Sequence, residues 1–295
     1  EVEAFLEEEK SWLPDYVLFM ALRAKFDGAE LKDWPDDART REPKALQKLR
    51  EELAEDCQYY AFLQYLFFLQ WTALKQYANE RGILILGDLP IYVSPDSAEV
   101  WAHPELFQLD EDYMPTAVAG VPPDAFTDEG QHWGNPLYDW TYHKKTGYAW
   151  WRARGEHMAR LYDTVRIDHF RGFHTYWSIP LKAKSAKEGH WEPGPGMELV
   201  KVLESVPGLS LIAEDLGDLD DTVREFIAKS GLPGMRILVY AFDPVGRVPT
   251  CPTTVLPIPS STPAPTTPPP LSSGSLTRPP PRSGPMRWNI CACGR

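Results

Sequence analysis

Two short apolar runs that each end in an acid constrain this chain most. Asp168 ends the run in Thr164-Val-Arg-Ile-Asp-His-Phe-Arg-Gly-Phe173, and Glu214 ends the run in Leu211-Ile-Ala-Glu-Asp-Leu-Gly217. An apolar strand that stops at a carboxylate and then meets a glycine-containing turn has the form of a barrel strand delivering a side chain to its C-terminal rim. Two such carboxyl groups on neighbouring strand ends can serve as nucleophile and general acid in glycosidic-bond chemistry. Helical patterns alternate with these and other strand-like runs. Residues 44–80 read as long helical material, with Leu46, Leu49, Leu53, Cys57, Tyr60 and Leu63 at helical spacing and Gly82 as the stop. Strand and turn follow in Ile83-Leu-Ile-Leu-Gly-Asp88-Leu-Pro. A helix over 150–162 leads to a strand over 164–167, and a helix over 197–205 precedes a strand over 210–213. Asp220 caps a helix through 228, ahead of a strand over 235–240. Repeated strand, turn and helix predicts an α/β protein with a parallel sheet. Residues 94–150 are Pro-rich and aromatic with little periodicity, and they read as an ordered loop region over an active site.

At 295 residues the chain can bury one large core or two modest ones. Its apolar runs all fall short of the roughly 20 residues that span a bilayer. The first residues, Glu1-Val-Glu-Ala-Phe-Leu-Glu-Glu-Glu-Lys10, are too acidic for a signal peptide, so a cytoplasmic protein without a membrane partner is expected. A formal charge of −12, with Lys and Arg dispersed, repels phosphate backbones and argues against nucleic acid as a partner. Eleven Trp and thirteen Tyr offer faces that stack on sugar rings, although such residues also build cores. The four cysteines form neither a disulfide framework nor a zinc pattern, and no His pair has metal-ligand spacing, so neither cofactor nor metal is expected.

Six motifs, in this order and spacing, carry a specific resemblance. They are Gly87-Asp-Leu-Pro-Ile-Tyr-Val93, Gly120-Val-Pro-Pro-Asp124, Gly130-Gln-His-Trp-Gly-Asn-Pro-Leu-Tyr138, Val165-Arg-Ile-Asp-His-Phe-Arg-Gly-Phe173, Ala213-Glu-Asp-Leu-Gly217 and Gly234-Met-Arg-Ile-Leu. Over residues 12–243 the chain resembles the 4-α-glucanotransferases known as amylomaltase or disproportionating enzyme. The resemblance implies a (β/α)8 TIM barrel with inserted helical and loop subdomains, of which this chain holds strands resembling the third to sixth. It implies α-1,4-glucans and maltooligosaccharides as partners and a retaining mechanism. Asp168 is then the nucleophile and Glu214 the acid and base, with carboxyl groups about 5–5.5 Å apart. Asp88 matches a residue that hydrogen-bonds substrate. Trp133 and Asp124 lie in the substrate-covering loop, with Trp133 stacking on a glucose ring. Arg166, two residues before Asp168, shares its face of the strand, and its charge would keep the nucleophile ionised. Glu214 must be protonated near neutrality, which asks for a less polar site or a nearby negative charge.

Read from the residues alone, each assignment has a second reading. Asp88 after Gly87 can cap a following helix. Asp168 and Glu214 can sit in structural ion pairs. Trp133 can be core, and His169 can be a core or a ligand-binding histidine. Asp215 points away from Glu214 on the strand and is taken as structural. Beside transfer, the acid pair fits an α-amylase-like hydrolase, and a catalytically dead glucan-binding remnant is a reading from another class.

The chain starts without Met and in mid-pattern, so residue 1 is not expected to be a natural beginning. From about Pro244 the composition changes, and fourteen of the 29 prolines lie between there and the end. The family's third carboxylate belongs to a Thr-His-Asp motif that does not occur after Glu214. Thr262-Pro-Ala-Pro-Thr-Thr267 can be encoded ACA CCG GCA CCC ACG ACA. Read one base earlier, with T in front, the same bases give Tyr-Thr-Gly-Thr-His-Asp, the missing motif. A frame-shifted reading beginning near 243–248 is the expectation. The expected regions are a helical insert over 1–80, a partial catalytic barrel over 81–243, and a disordered Pro/Thr/Ser-rich tail over 244–295. Lacking the third carboxylate and half of its strands, the chain as written is expected to be inactive.

Overall fold

The computed structural model describes residues 1–124, 127–217 and 219–235. The chain divides into two compact units, Glu1–Leu232 and Pro233–Arg295, and of the second only residues 233–235 are described. The expected strand over 235–240 and the tail over 244–295 therefore lie outside the described residues, apart from Met235.

The first unit opens with helices α1 (Val2–Glu8), α2 (Leu13–Lys25), α3 (Asp36–Arg39), α4 (Pro43–Glu52) and α5 (Ala54–Asn79), followed by strand β1 (Leu86–Leu89). The helical material expected over 44–80 is thus two helices. At Leu53 the backbone turns to φ −102°, ψ 21°, and one such residue redirects the axis without disturbing the apolar spacing. Next come α6 (Ala98–Ala102), β2 (Ala117–Val121), β3 (Gln131–Pro136), α7 (Trp140–Lys145) and α8 (Ala149–Leu161). The unit ends with β4 (Thr164–Ile167), β5 (Thr175–Pro180), β6 (His190–Pro193), α9 (Met197–Glu204), β7 (Leu211–Ala213) and α10 (Asp221–Ser230).

The parallel sheet has the order β1-β4-β7, with Asp88 opposite Arg166 and Ile167 opposite Ala213. Helix α8 crosses from β1 to β4, and α9 from β4 to β7, in the manner that parallel pairing requires. Gly155 lets α8 approach closely, since a Cβ there would sit 3.2–3.3 Å from Leu203, Val206 and Leu209.

Residues 94–150 are not loop alone. A second sheet, antiparallel in the order β3-β2-β5-β6, draws two of its strands from that region. Its strands contain Gly120, Gly134 and Pro136, residues depleted from strands; β2 and β3 pair with each other, and β2 pairs on its other edge with β5 far along the chain.

One buried cluster joins Leu18, Leu22 and Trp34 of the helical region to Leu89, Ile167 and Ala213 of the parallel sheet. Trp101, Trp151 and Tyr138 are fully buried within it, each contributing on the order of 4–6 kcal/mol of transfer free energy. Much of the aromatic load is therefore core. Helix α5 is apolar on every side. Phe68 and Tyr65 pack beside Phe5, Leu13 and Val17, while Tyr59, Phe62, Leu63, Phe67, Leu69, Leu74 and Tyr77 are exposed.

Candidate active site

Three carboxyl side chains project from consecutive strands of the parallel sheet because the register aligns them. Asp88 lies within β1, Asp168 directly follows β4, and Glu214 directly follows β7. The main chain continues the ladder past the strand ends. Asp168 N–H donates to Leu89 O at 3.1 Å, and Glu214 N–H donates to Ile167 O at 3.0 Å. Adjacent parallel strands lie about 4.8 Å apart, which brings Asp168 and Glu214 within electrostatic reach of each other.

Arg166 organises the exposed side of this row. Its Nε and Nη2 each donate at 2.8 Å to the two Asp88 oxygens, and Nη2 donates to Asp168 Oδ1 at 2.9 Å. The period-two expectation that Arg166 and Asp168 share a face is met by this contact. Asp88 makes a bidentate pair rather than a helix cap, because the chain after β1 continues as loop.

Arg166 acts on Asp168 in the expected sense, but it is not the largest influence. Burial raises its pKa, and Asp88 adds to that; the Arg166 charge and hydrogen bond pull it down without reversing the direction. One guanidinium divided between two acids does not fully offset the lost hydration. Glu214 is also raised, first by burial and further by the negative Asp168 nearby, which is the direction an acid catalyst needs. Two backbone donors work against that shift. His169 N–H reaches Glu214 Oε2 at 2.8 Å, and Leu216 N–H reaches Oε1 at 3.0 Å. Asp215 is buried beside Glu214, and adjacent strand residues face opposite ways.

A cavity of about 180 Å³ opens beside Asp168, lined by Pro90, Ile91, Tyr92, Trp133 and Asn135. Trp133 is part of this wall. Its indole Nε1 donates to Gln131 Oε1 at 3.0 Å, and its ring meets the His169 ring edge-on at 4.9 Å. Asp124 is not among the lining residues. Its Oδ1 accepts from Thr127 N–H at 2.8 Å in the turn between β2 and β3. Tyr92 and Asn135 are not among the expected site residues, although they stand in the motifs 87–93 and 130–138; Asn135 Nδ2 donates to Val93 O at 2.8 Å and so ties the two motifs together. Among the described residues no group of three His, Cys, Asp or Glu side chains converges as metal ligands.

The whole sequence from residue 1 to 257 matches the model of a family described as 4-alpha-glucanotransferase, further along the chain than the motifs carry. The chain is 48% identical over 240 residues to a 4-alpha-glucanotransferase of Clostridium butyricum, covering 81% of this chain and 49% of the relative. It is 50% identical over 241 residues to that of Thermus thermophilus, covering 81% and 48%. Among solved structures it is similar to the amylomaltase of Streptococcus agalactiae in complex with acarbose, with a TM-score of 0.78 and 46% identity over 82% of this chain and 49% of that one. The chain spans about half the length of the curated relatives it matches. The three parallel strands with their crossover helices form part of a (β/α)8 barrel.

Proposed function

The chain belongs to the 4-alpha-glucanotransferase family, and from that premise we propose that its site serves the transfer of α-1,4-glucan segments between maltooligosaccharides by double displacement. The observation that carries this reading is the register: Asp168 and Glu214 end adjacent parallel strands, with Arg166 bonded to the first. In the first step an Asp168 oxygen forms a bond to the anomeric carbon as the glycosidic bond breaks, and Glu214 gives its proton to the departing sugar oxygen. In the second step Glu214 takes the proton from an acceptor hydroxyl, whose oxygen displaces Asp168 with net retention. The raised pKa of Glu214 supports its starting as the acid. Trp133, on the cavity wall, provides an aromatic face for a glucose ring. Asp88 positions Arg166 through its bidentate pair and offers oxygen acceptors to sugar hydroxyls. Asp124, whose Oδ1 accepts from Thr127 N–H, contributes from the substrate-covering segment. A cytoplasmic setting and the three regions 1–80, 81–243 and 244–295 belong to the same proposal.

Maltotriose incubated with the chain tests it. Transfer would yield glucose together with longer glucans, both removed by Asp168→Asn, and would overturn the expectation that the chain as written is inactive. Reducing ends formed in proportion to bonds cut would indicate an α-amylase-like hydrolase instead. Binding of maltooligosaccharide without product, unchanged by Asp168→Asn, would indicate a glucan-binding remnant and bear out the expectation that this chain is inactive.

A further inference from the structure

His169 touches both Glu214 and Trp133. The alternation that takes Val165 N–H to Ser210 O, four residues earlier on each strand, would take His169 N–H to the main-chain carbonyl of Glu214. It goes instead to the Glu214 side chain at 2.8 Å. At this point the chain leaves the sheet through a left-handed conformation, φ 51° and ψ 48°, which non-glycine residues seldom adopt. Such strain persists where surrounding structure holds it and clusters at functional sites. Here Gly172 allows the turn to close. A Cβ on it would sit 2.6 Å from Ile91 Cδ1 and 3.1 Å from His169 Cδ2. The residue is half-buried, its Nε2 is shielded from solvent and has no hydrogen-bond partner among the described residues, and its ring stands perpendicular to that of Trp133.

We propose that His169 is a positioning residue: its left-handed backbone aims one N–H at Glu214 Oε2 and fixes that carboxyl toward Asp168, while its ring braces Trp133 against the cavity. The ring acts as a neutral body, since burial holds its pKa down at about 4, with the Arg171 charge acting in the same direction. The inference deepens the transfer reading and rests on it for the catalytic meaning of Glu214.

Its first test needs no turnover. The His169 amide proton and the Glu214 carboxyl carbon, followed by NMR through the carboxylate range, should titrate with one midpoint. The charged groups facing Glu214 are Asp168 and Arg166, the latter shared with Asp88, so Asp168→Asn serves as the control for the neighbour's own titration. A His169 amide that stays flat while Glu214 titrates overturns the proposal whether or not the chain transfers glucan. A coupled amide supports the positioning whether or not the chain transfers glucan.

The second test separates backbone from ring. His169→Asn keeps a residue that tolerates the left-handed region, whereas His169→Val places a β-branched one there. The Asn variant should hold the Glu214 midpoint and weaken maltooligosaccharide binding, because Trp133 loses its brace. The Val variant should move the midpoint upward, because the N–H that favours the charged carboxylate is misaimed. Equal midpoints in the two variants overturn the backbone role.

Discussion

Arg166 holds two acids with one guanidinium, and that arithmetic decides how Asp168 behaves. With its folded pKa above the unfolded value, Asp168 binds more protons in the folded state than in the unfolded one. Its contribution to stability is therefore fully present below the unfolded carboxylate pKa and is lost as pH rises through the folded value. Asp168→Asn, which keeps an oxygen for Arg166, should be more stable than the parent at pH 7 by about 0.2–1 kcal/mol, since the carboxylate is partly exposed and screened. The advantage should vanish at pH 3 in paired urea titrations, and a pH-independent difference would contradict the assignment. At this scale the sequence was partly legible. The contact of Arg166 with Asp168 follows from two-residue periodicity on one strand. The grip on Glu214 does not, because its two donors are main-chain N–H groups, one of them on the neighbouring strand's turn.

Among the elements, β4 and α9 were readable at nearly their observed boundaries because each carries its own signal: an apolar run closed by a turn, or an apolar face at helical spacing. Helix α10 begins as expected at Asp220, whose Oδ1 accepts from Thr222 and Val223 N–H at 2.9 and 3.0 Å. Asp220→Ala should cost about 1 kcal/mol, read as a lower urea midpoint. Strand β1 depends on a feature that local reading misses. Gly87 lies against the Tyr162 ring, and a Cβ at 87 would overlap ring carbons. Gly87→Ala should destabilise by about 1–3 kcal/mol through overpacking. Pairing it with Tyr162→Ala should recover part of that loss, and strict additivity of the two changes would contradict the steric account. Strands β2 and β3 escaped the sequence reading because their glycines and proline carry no strand propensity; they pair with each other, and β2 pairs on its other edge with the distant β5.

For the whole molecule, the largest consequence is the outer face of α5. Tyr59 and Tyr77 are 58% and 56% exposed, and Leu63, Leu69 and Leu74 lie between them at 40–54%. A helix that is apolar on all sides is suited to burial, and an exposed apolar stripe of this kind promotes association. The purified chain should therefore self-associate, with a sedimentation coefficient that rises with concentration between about 1 and 100 µM. Leu63→Glu combined with Leu74→Lys should suppress that rise without lowering the thermal midpoint, since both positions are solvent-facing. What the sequence determined by itself was the chemistry and its order along the chain. Which strands end in acids, where helices cap and which family the motifs resemble are all written in contiguous residues, and periodicity and turn chemistry act over short spans. The tertiary structure alone decided what those residues meet. The antiparallel sheet, the division of Arg166 between Asp88 and Asp168 and the His169 amide on Glu214 all depend on partners tens of residues away, and no local pattern encodes contacts made only when the chain folds back on itself.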